Sequence, residues 1–375
     1  MTRRILLGVT AVFAAFGLLT VFRIPDWLDW RLTVVACSFG YALAVVPLAA
    51  ALLAWFLPGR RGGAGIAAAI GGLLGFVLLV QPCAQAWLIA RDLPSRLEGR
   101  FGPATPEGAP FSFLGLFSPW PDGAPVSTWT YSGSLKLDFY RAVGRSPAPC
   151  VIVIHGGGWD DGDRGQIPQL NYWLARRGYA VADISYRLAP DATWPAQGED
   201  VAAAVAFVKG HAQGWGVDPK KLVLLGRSAG GQIAEACGYA LHDPAIRGVV
   251  ALYAPSDMRY AWTLGRPDDA LNSPRLLRRF LGGTPETAGP AYDSASALLL
   301  VTPASPPTLM IHGVIDTLVW HRHSIRLAAR LTESGVPNLL ISMPWASHGL
   351  ELNLDSPSGQ LTTYSVDWFV GAVCR

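Results

Sequence analysis

The pentapeptide Gly226-Arg227-Ser228-Ala229-Gly230 constrains the fold of this chain more than any other sequence feature. It follows an apolar run, Lys221 to Leu225, that predicts a buried strand, and it opens a helix-compatible run, Ala229 to Leu241. A sharp turn from strand to helix holds a serine in a strained conformation, and the residues two before and two after it must be small because they crowd each other. The pattern therefore predicts a nucleophilic Ser228 at the end of a strand.

A second glycine-rich element, His155-Gly156-Gly157-Gly158-Trp159, directly follows the apolar run Cys150 to Ile154. Such a loop alone is also typical of a plain turn or a phosphate-binding loop, but its pairing with the later pentapeptide favours an oxyanion hole. We expect the backbone amides of Gly157, Gly158 and Ala229 to be its donors. Each donor of this kind stabilises a transition state by roughly 3 to 4 kcal/mol.

A serine hydroxyl is a poor nucleophile at neutral pH and needs a neighbouring base. In chains with this strand-to-helix turn, an acid and then a histidine follow the serine in sequence order. Asp316 comes after the strand-like run Thr308 to Ile311, and His348 comes after the strand-like run Asn338 to Met343. The sequence therefore predicts a catalytic triad of Ser228, Asp316 and His348.

The other histidines and aspartates near these motifs are interpreted as structural. We expect His155 to orient the glycine-rich loop from a buried position. The remaining competitors lie beside a strand end, at the expected start of a helix, or away from any strand end. They are His312, His321, His323, Asp257 and Asp293.

Short apolar runs alternate with helix-compatible stretches from about Val126 to Arg375. Leu135 to Tyr140 alternates apolar and polar residues, as a half-buried strand does, while Tyr179 to Ser185 is apolar enough for a strand buried on both faces. Val201 to Lys209 favours a helix. Strands that alternate with helices predict one α/β domain with a mainly parallel sheet over residues 126–375.

Three apolar runs open the chain and account for its composition of 51% hydrophobic and only 15% charged residues. They extend from Ile5 to Phe22, from Leu32 to Leu57 and from Ala64 to Ala90. Each meets or nearly meets the roughly 20 residues that a helix needs to cross a bilayer. We therefore expect residues 1–90 to form a multi-pass anchor of three transmembrane helices in the cell membrane. Tryptophans near the ends of the runs fit the membrane interface: Trp27, Trp30, Trp55 and Trp87.

The first run and the orientation of the anchor leave alternatives open. The basic start Thr2-Arg3-Arg4 is also typical of a cleaved signal peptide, but two further runs follow at once and favour a retained helix. Arginines before the first run and between the second and third predict that the globular domain lies outside the cytoplasm. These are Arg3, Arg4, Arg60 and Arg61, and they are opposed by Arg91, Arg96 and Arg100.

The sequence also allows broader predictions for two further segments, residues 91–125 and residues 257–300. Residues 91–125 are rich in Pro and Gly and contain several aromatic residues, Trp120 among them, which predicts a linker packed on the domain or an interfacial segment near the mouth of the site. Residues 257–300 are expected to form a small cap between core strands. Its larger apolar residues line an acyl pocket or pack the cap: Trp262, Leu271, Leu276 and Phe280.

Charge and cysteine content exclude some classes of partner. The net charge of +3 comes without a Lys/Arg block interleaved with aromatics, so the sequence predicts no nucleic-acid partner. It also has no Cys-x-x-Cys or Cys/His cluster of the kind that binds zinc. Of the five cysteines, Cys150, Cys237 and Cys374 lie in the globular part and permit at most one disulfide there.

In combination, the motifs of the globular part resemble a known family, the acetyl-esterase/lipase group of α/β-hydrolase fold enzymes that is related to hormone-sensitive lipase and bacterial carboxylesterases. The resemblance covers roughly Leu135 to Arg375. It rests on HGGGW at His155 to Trp159, YRLAP at Tyr186 to Pro190, GVDP at Gly216 to Pro219, GRSAGGQIA at Gly226 to Ala234, HGxxD at His312 to Asp316 and SHG at Ser347 to Gly349.

This resemblance implies an α/β-hydrolase core of about eight strands and hydrolysis of carboxylic esters without a metal or organic cofactor. One position departs from the pattern, because many relatives of hormone-sensitive lipase have Asp where this chain has Arg227. That departure is more similar to carboxylesterases of the feruloyl-esterase type, and it leaves the substrate open.

Together, the residues and the resemblance predict a membrane-anchored serine carboxylesterase or lipase that acts on short-to-medium acyl esters through an acyl-enzyme. The expected substrate is a small-molecule ester or a lipid or glycan ester. Three alternatives stay open: an acyltransferase with the same triad, an amidase or formamidase, and a non-catalytic membrane scaffold.

Overall fold

The computed structural model describes residues 2–25, 28–57, 62–118, 123 and 126–375. Trp27, Arg60, Arg61 and Trp120 lie outside the described residues, so the expectations that depend on them stay predictions. The described chain consists of a helical N-terminal region followed by a region built on an eight-stranded sheet.

The sheet has the strand order β1-β2-β4-β3-β5-β6-β7-β8. β2 pairs antiparallel with both β1 and β4, and every other neighbouring pair is parallel. The prediction of an eight-stranded, mainly parallel sheet is confirmed. The strands are β1 (Val126–Ser132), β2 (Leu135–Tyr140), β3 (Ala148–Ile154), β4 (Ala180–Ile184), β5 (Val217–Arg227), β6 (Ile246–Leu252), β7 (Thr308–Gly313) and β8 (Asn338–Met343).

Helices surround the sheet and form the N-terminal region. They are α1 (Thr2–Leu18), α2 (Arg31–Leu43), α3 (Val45–Phe56), α4 (Gly63–Ala90), α5 (Leu93–Phe101), α6 (Pro168–Arg176), α7 (Ala196–Trp215), α8 (Ala229–Ala240), α9 (Met258–Leu264), α10 (Ser273–Leu281), α11 (Gly289–Ala295), α12 (Ala297–Leu300), α13 (Arg322–Glu333) and α14 (Pro357–Val373). A 3₁₀ turn spans Leu114–Phe117.

Both faces of the sheet are covered, as its apolar central strands require. β3 and β4 are buried along their whole length because neither face meets solvent. α7, α8 and α13 pack on one face, and α6 and α14 pack on the other. The second face also receives α5 and residues of α2 and α4, so the N-terminal region and the sheet share one hydrophobic core.

Small residues allow the N-terminal helices to approach each other closely. Gly72 of α4 lies against Pro47 and Ala51 of α3, where an added Cβ would collide with backbone. Gly75 lies 3.1 Å, measured from an ideal Cβ, from the backbone of Ala14 in α1. Glycines of α4 therefore let α1 and α3 pack closely against it in one bundle.

The prediction of three membrane-spanning helices is not confirmed. Among the described residues, α4, with 28 residues, is the one helix that is long and apolar enough to cross a membrane. α1 has 17 residues, and the second apolar run is broken into α2 and α3, which meet at 53° and provide a second candidate only if they are counted as one span. Pro47 explains the break, since it has no N–H to donate to the carbonyl group four residues earlier and its ring crowds that group.

The stretch before β1 and the stretch after β6 both contain helices. α5 lies in the stretch expected to be a linker, and its Leu93 and Leu97 are fully buried in the core. Residues 119–122 and 124–125 of that stretch are outside the described part. The four helices α9 to α12 occupy the region between β6 and β7 that was expected to form a cap.

Candidate active site

Ser228 lies at the turn between β5 and α8. Its φ of 52° and ψ of −119° are a combination that non-glycine residues rarely adopt. The Ser228 amide donates to the Leu252 carbonyl oxygen at 2.9 Å, which fixes the turn against β6. A Cβ on Gly226 would collide with the backbone of Gly230, and a Cβ on Gly230 would collide with the carbonyl group of Ile154. This turn therefore needs glycine on both sides of the serine.

The loops after β7 and β8 bring Asp316 and His348 together. His348 Nδ1 lies 2.8 Å from Asp316 Oδ2. The other carboxylate oxygen, Oδ1, accepts hydrogen bonds from the amides of Leu318 at 2.8 Å and Val319 at 3.0 Å. Because Nδ1 faces the carboxylate, Nε2 of His348 is left for a partner in the cavity that His348 and Ser228 both line.

The environment of Asp316 keeps its carboxyl group ionised. Burial alone would raise the pKa of Asp316, since its side chain is fully enclosed. The charge of His348 and hydrogen bonds from His312 and His348 outweigh burial and hold the pKa of Asp316 well below its usual range. A permanently ionised carboxylate can fix one imidazole tautomer and stabilise the imidazolium.

His312 contacts the same carboxylate, which the sequence interpretation did not anticipate. Its Nε2 lies 3.3 Å from Asp316 Oδ2 and 3.0 Å from the Val319 carbonyl oxygen. Its Nδ1 lies 2.7 Å from Ser324 Oγ. The HGxxD spacing was the available signal, because it places His312 at the strand end and Asp316 four residues later.

The glycine-rich loop lies beside Ser228, since an ideal Cβ on Gly156 would be 3.4 Å from the Ser228 Cβ. Gly157 and Gly158 have φ values of 121° and 60°, and a Cβ on Gly157 would collide with the backbone of Asp161. Among the described residues no acceptor is found for the amides of Gly157, Gly158 and Ala229, and all three residues border the cavity. These amides are therefore available to an oxyanion. His155 is fully buried, stacks on Tyr186 at 4.2 Å between ring centroids, and has its pKa lowered by burial.

The cavity in front of Ser228 has a volume of about 650 Å³, within the usual range for a small-molecule site. The cap provides one side of it, including two of the four cap residues singled out from the sequence, Leu271 and Leu276. The other two pack within the protein instead: Trp262 meets Tyr292, and Phe280 stacks on Trp159. The N-terminal region also lines the cavity, through Arg23, Trp30, Arg31 and Val34.

A buried ion pair joins the turn at Ser228 to the loop that carries His348. Arg227 Nε lies 2.9 Å from Glu351 Oε1, and both side chains are almost fully buried. The Tyr253 hydroxyl donates to the same Glu351 oxygen at 2.7 Å, and the Tyr253 ring lies 4.4 Å from the His348 ring. Arg227, which departs from the family pattern, therefore links the turn at Ser228 to the loop that carries His348.

The competing residues have other partners. His321 Nε2 bonds Ser342 Oγ at 2.9 Å, and burial lowers the pKa of His321 to about 4. His323 lines the cavity, but burial lowers its pKa to about 3. Asp257 caps α9 and forms an ion pair with an arginine. Asp293 also forms an ion pair with an arginine. In the described part of the chain, no group of three His, Cys, Asp or Glu side chains is arranged to hold a metal ion.

Comparison with known proteins identifies relatives of this region. Residues 137–331, just over half of the chain, match the model of the BD-FAE family. The chain is 28% identical to the probable carboxylic ester hydrolase LipM of Mycobacterium tuberculosis over 70% of this chain and 64% of that protein. It is also 28% identical to esterase LipC of the same organism, over 64% of this chain and 62% of that protein. The chain thus spans somewhat less than two thirds of these relatives.

Solved structures share the fold. The esterase LipW from Mycobacterium marinum superposes with a TM-score of 0.58 at 22% identity, covering 80% of this chain and 90% of that one. A Pyrobaculum calidifontis esterase gives a TM-score of 0.59 at 20% identity, covering 76% of this chain and 92% of that one. At such identities the likeness concerns the fold alone. Since the matched family model spans β2 to α13, with Ser228 and Asp316 inside it, the chain belongs to the BD-FAE family.

Proposed function

We propose that the protein hydrolyses carboxylic esters with short-to-medium acyl groups, with Ser228 as nucleophile, His348 as general base and acid, and Asp316 as the residue that orients His348. The 2.8 Å contact between His348 and Asp316 at the cavity that holds a strained Ser228 carries the proposal. The names of the relatives, carboxylic ester hydrolase and esterase, support the same reaction class.

In the first half-reaction, His348 Nε2 takes the proton of the Ser228 hydroxyl as its oxygen attacks the ester carbonyl. The developing oxyanion accepts hydrogen bonds from the amides of Gly157, Gly158 and Ala229, which have no competing acceptor among the described residues. The ionised Asp316 stabilises the positive charge on the imidazolium. His348 then gives its proton to the leaving alcohol, and the acyl group stays on Ser228.

In the second half-reaction, water occupies the place of the alcohol. His348 takes a proton from this water, whose oxygen attacks the acyl-enzyme carbonyl, and the same three amides hold the second oxyanion. Collapse of the intermediate returns the proton to Ser228 and releases the carboxylic acid. Apart from the ester and water, each of these steps uses side chains and backbone amides of the described chain.

Labelling of the detergent-solubilised protein with a fluorophosphonate tests the nucleophile. Ser228→Ala should abolish labelling and lower kcat for p-nitrophenyl acetate by about 10⁵ to 10⁶-fold, while the unfolding temperature stays close to that of the wild type. Ser334→Ala, at the end of α13, is the matched control and should label fully. Turnover of the Ser228→Ala protein near the wild-type rate would overturn the assignment.

The same preparation separates the alternative reactions. Hydrolysis predicts free acid as the product in the presence of added long-chain alcohols, whereas an acyltransferase would deliver new esters of those alcohols. An amidase would cleave a matched acetanilide at least as well as the phenyl ester. A scaffold would show neither labelling nor turnover while folded.

Membrane attachment is the second part of the proposal. We propose that α4 anchors the protein in a bilayer, because α4 has the length and composition of a span and its outer face carries exposed apolar side chains such as Ile70, Leu73 and Leu74. α1 and α3 pack on α4 and extend that apolar surface. Placement of the catalytic domain outside the cytoplasm stays a prediction from the arginine distribution.

A further inference from the structure

Four of the described residues of the N-terminal region line the same cavity as Ser228 and His348; we call Arg23, Trp30, Arg31 and Val34 the N-terminal wall. Trp30 lies against His348 edge to face, with ring centroids 6.2 Å apart. Val34 is 6% exposed and lies one helical turn after Trp30 in α2. The α/β domain alone therefore leaves one side of the catalytic cavity open, and the N-terminal region closes it.

Direct contacts hold the N-terminal wall against the loop that carries Asp316. The Arg23 guanidinium donates to the carbonyl oxygen of Thr317, the residue after Asp316, at 3.0 Å. It also lies 3.6 Å from the centre of the Trp320 ring, a close cation–π contact. Both Thr317 and Trp320 line the cavity.

Hydrogen bonds also join α2 to the loop that carries His348. Cys37 Sγ donates to the Trp345 carbonyl oxygen at 2.8 Å. The Asn353 side-chain amide donates to the Ser38 carbonyl oxygen at 2.9 Å. Because both ends of the His348 loop bond to α2, the wall has a fixed position relative to the reacting atoms.

Helices α1, α3 and α4 of the same N-terminal region carry large exposed apolar side chains, for example Val12 at 66%, Phe56 at 72% and Ile70 at 64%. Large apolar patches on a protein surface mark contact with a membrane or an apolar partner. The loop between α1 and α2 lies at the cavity, and Gln81 of α4 donates to the Thr20 carbonyl oxygen in that loop. This bond joins α4 to the loop that carries Arg23, so the helical bundle and the N-terminal wall are directly connected.

We infer that the N-terminal wall selects the substrate, and that the substrate is an amphiphilic ester dissolved in a lipid surface whose alkyl part lies along Trp30 and Val34 while its ester reaches Ser228. The inference rests on the proposed ester hydrolysis and adds to it the class of substrate. A water-soluble ester needs no contact with the wall, whereas a long alkyl chain entering from the bundle side must pass it.

Two acetate esters with primary alcohols test this inference in the full-length protein reconstituted in phosphatidylcholine vesicles. Ethyl acetate is soluble in water, and hexadecyl acetate resides in the bilayer; both form the same acetyl-enzyme, so its hydrolysis is common to them. Val34→Trp fills the cavity beside the wall. Val35→Trp is the matched control, because Val35 is the next residue in α2, is 39% exposed and does not line the cavity.

Val34→Trp should lower kcat/KM for hexadecyl acetate at least about tenfold more than it lowers kcat/KM for ethyl acetate. Val35→Trp should change neither. Trp30→Ala serves as a second variant and should also act more strongly on hexadecyl acetate. An equal effect on both esters, or none on hexadecyl acetate, would overturn the inference. Wild-type protein that releases no acetate from ethyl acetate in a Ser228-dependent way would instead overturn the proposed function itself.

Discussion

Two histidines converge on the carboxylate of Asp316, and only one of them could be assigned from the sequence. Asp316 and His348 were found because each follows a strand-like run, and strand ends meet at one edge of a parallel sheet. The contacts of His312, Tyr253 and Trp30 were missed, since they depend on how three loops fold over one another. No local periodicity carries that information, although the HGxxD spacing could have drawn attention to His312.

His312 is predicted to position Asp316 instead of touching substrate. His312→Ala removes one donor from a buried carboxylate, and a hydrogen bond to a charged group contributes about 1.5 to 3 kcal/mol. We expect kcat for p-nitrophenyl acetate to fall at least about tenfold with KM unchanged. His312→Gln retains an N–H donor and should recover much of the loss.

His321→Ala is the control for that measurement, because His321 bonds Ser342 and not Asp316. Its kcat should stay near the wild-type value. If His312→Ala and His312→Gln were equally impaired, or if KM rose in step with the loss of kcat, the positioning role would be contradicted.

At the scale of elements, strands were more predictable than the N-terminal helices. Leu135–Tyr140 and Asn338–Met343 have the predicted bounds, because period-two alternation and short apolar runs flanked by turn residues mark strands directly. The second apolar run was predicted as one helix, yet it is bent after Leu43. Apolar composition indicates that a segment can enter lipid, but it does not show whether the segment is one continuous helix. Pro47 was the residue in the sequence that indicated the break.

The helix α8, which begins directly after Ser228, carries a buried acid, Glu235. Burial raises the pKa of Glu235 to about 8, against a smaller opposing effect of Ser256. The unfolded chain ionises this group from about pH 4.5, whereas the folded protein keeps it protonated until about pH 8. The stabilising contribution of its neutral form is therefore complete at low pH and is lost as pH rises toward 8. Glu235→Gln should match wild-type stability near pH 4 and exceed it progressively up to pH 8.

Thermal unfolding between pH 4 and pH 9 measures this difference. Glu333→Gln, an exposed site on α13, should give a difference that does not vary with pH. A stability difference between Glu235→Gln and wild type that is constant over the whole range would contradict the raised pKa.

The whole molecule is one unit, because the N-terminal bundle and the sheet share a core that includes Cys37, Cys83 and Ala86. The sequence separated an apolar part from a globular part by composition. It could not predict that the two would build one cavity, since no pattern in either part records a contact across about 300 residues.

Introducing one positive charge into α4 tests whether this helix attaches the protein to a membrane. Leu74 lies in the middle of α4 and is 49% exposed, so Leu74→Arg should oppose insertion by about 2.5 to 3.5 kcal/mol. We expect a clear fall in the fraction of protein that resists alkaline carbonate extraction from membranes. Leu299→Arg, at an exposed leucine of the cap, is the control and should leave that fraction unchanged. Equal extraction of both variants and the wild type would contradict the anchor.

The bonds from Cys37 to Trp345 and from Asn353 to Ser38 join residues that are 308 and 315 positions apart. During synthesis at about 5 to 20 residues per second, α2 therefore waits roughly 15 to 60 s for its partners. His348 lies between those two partners in the sequence, so the proposed general base and the contacts that hold α2 beside it are completed at the same stage of synthesis. The proposed esterase site of a nascent chain therefore stays incomplete until the C-terminal segment has been made and has packed against α2.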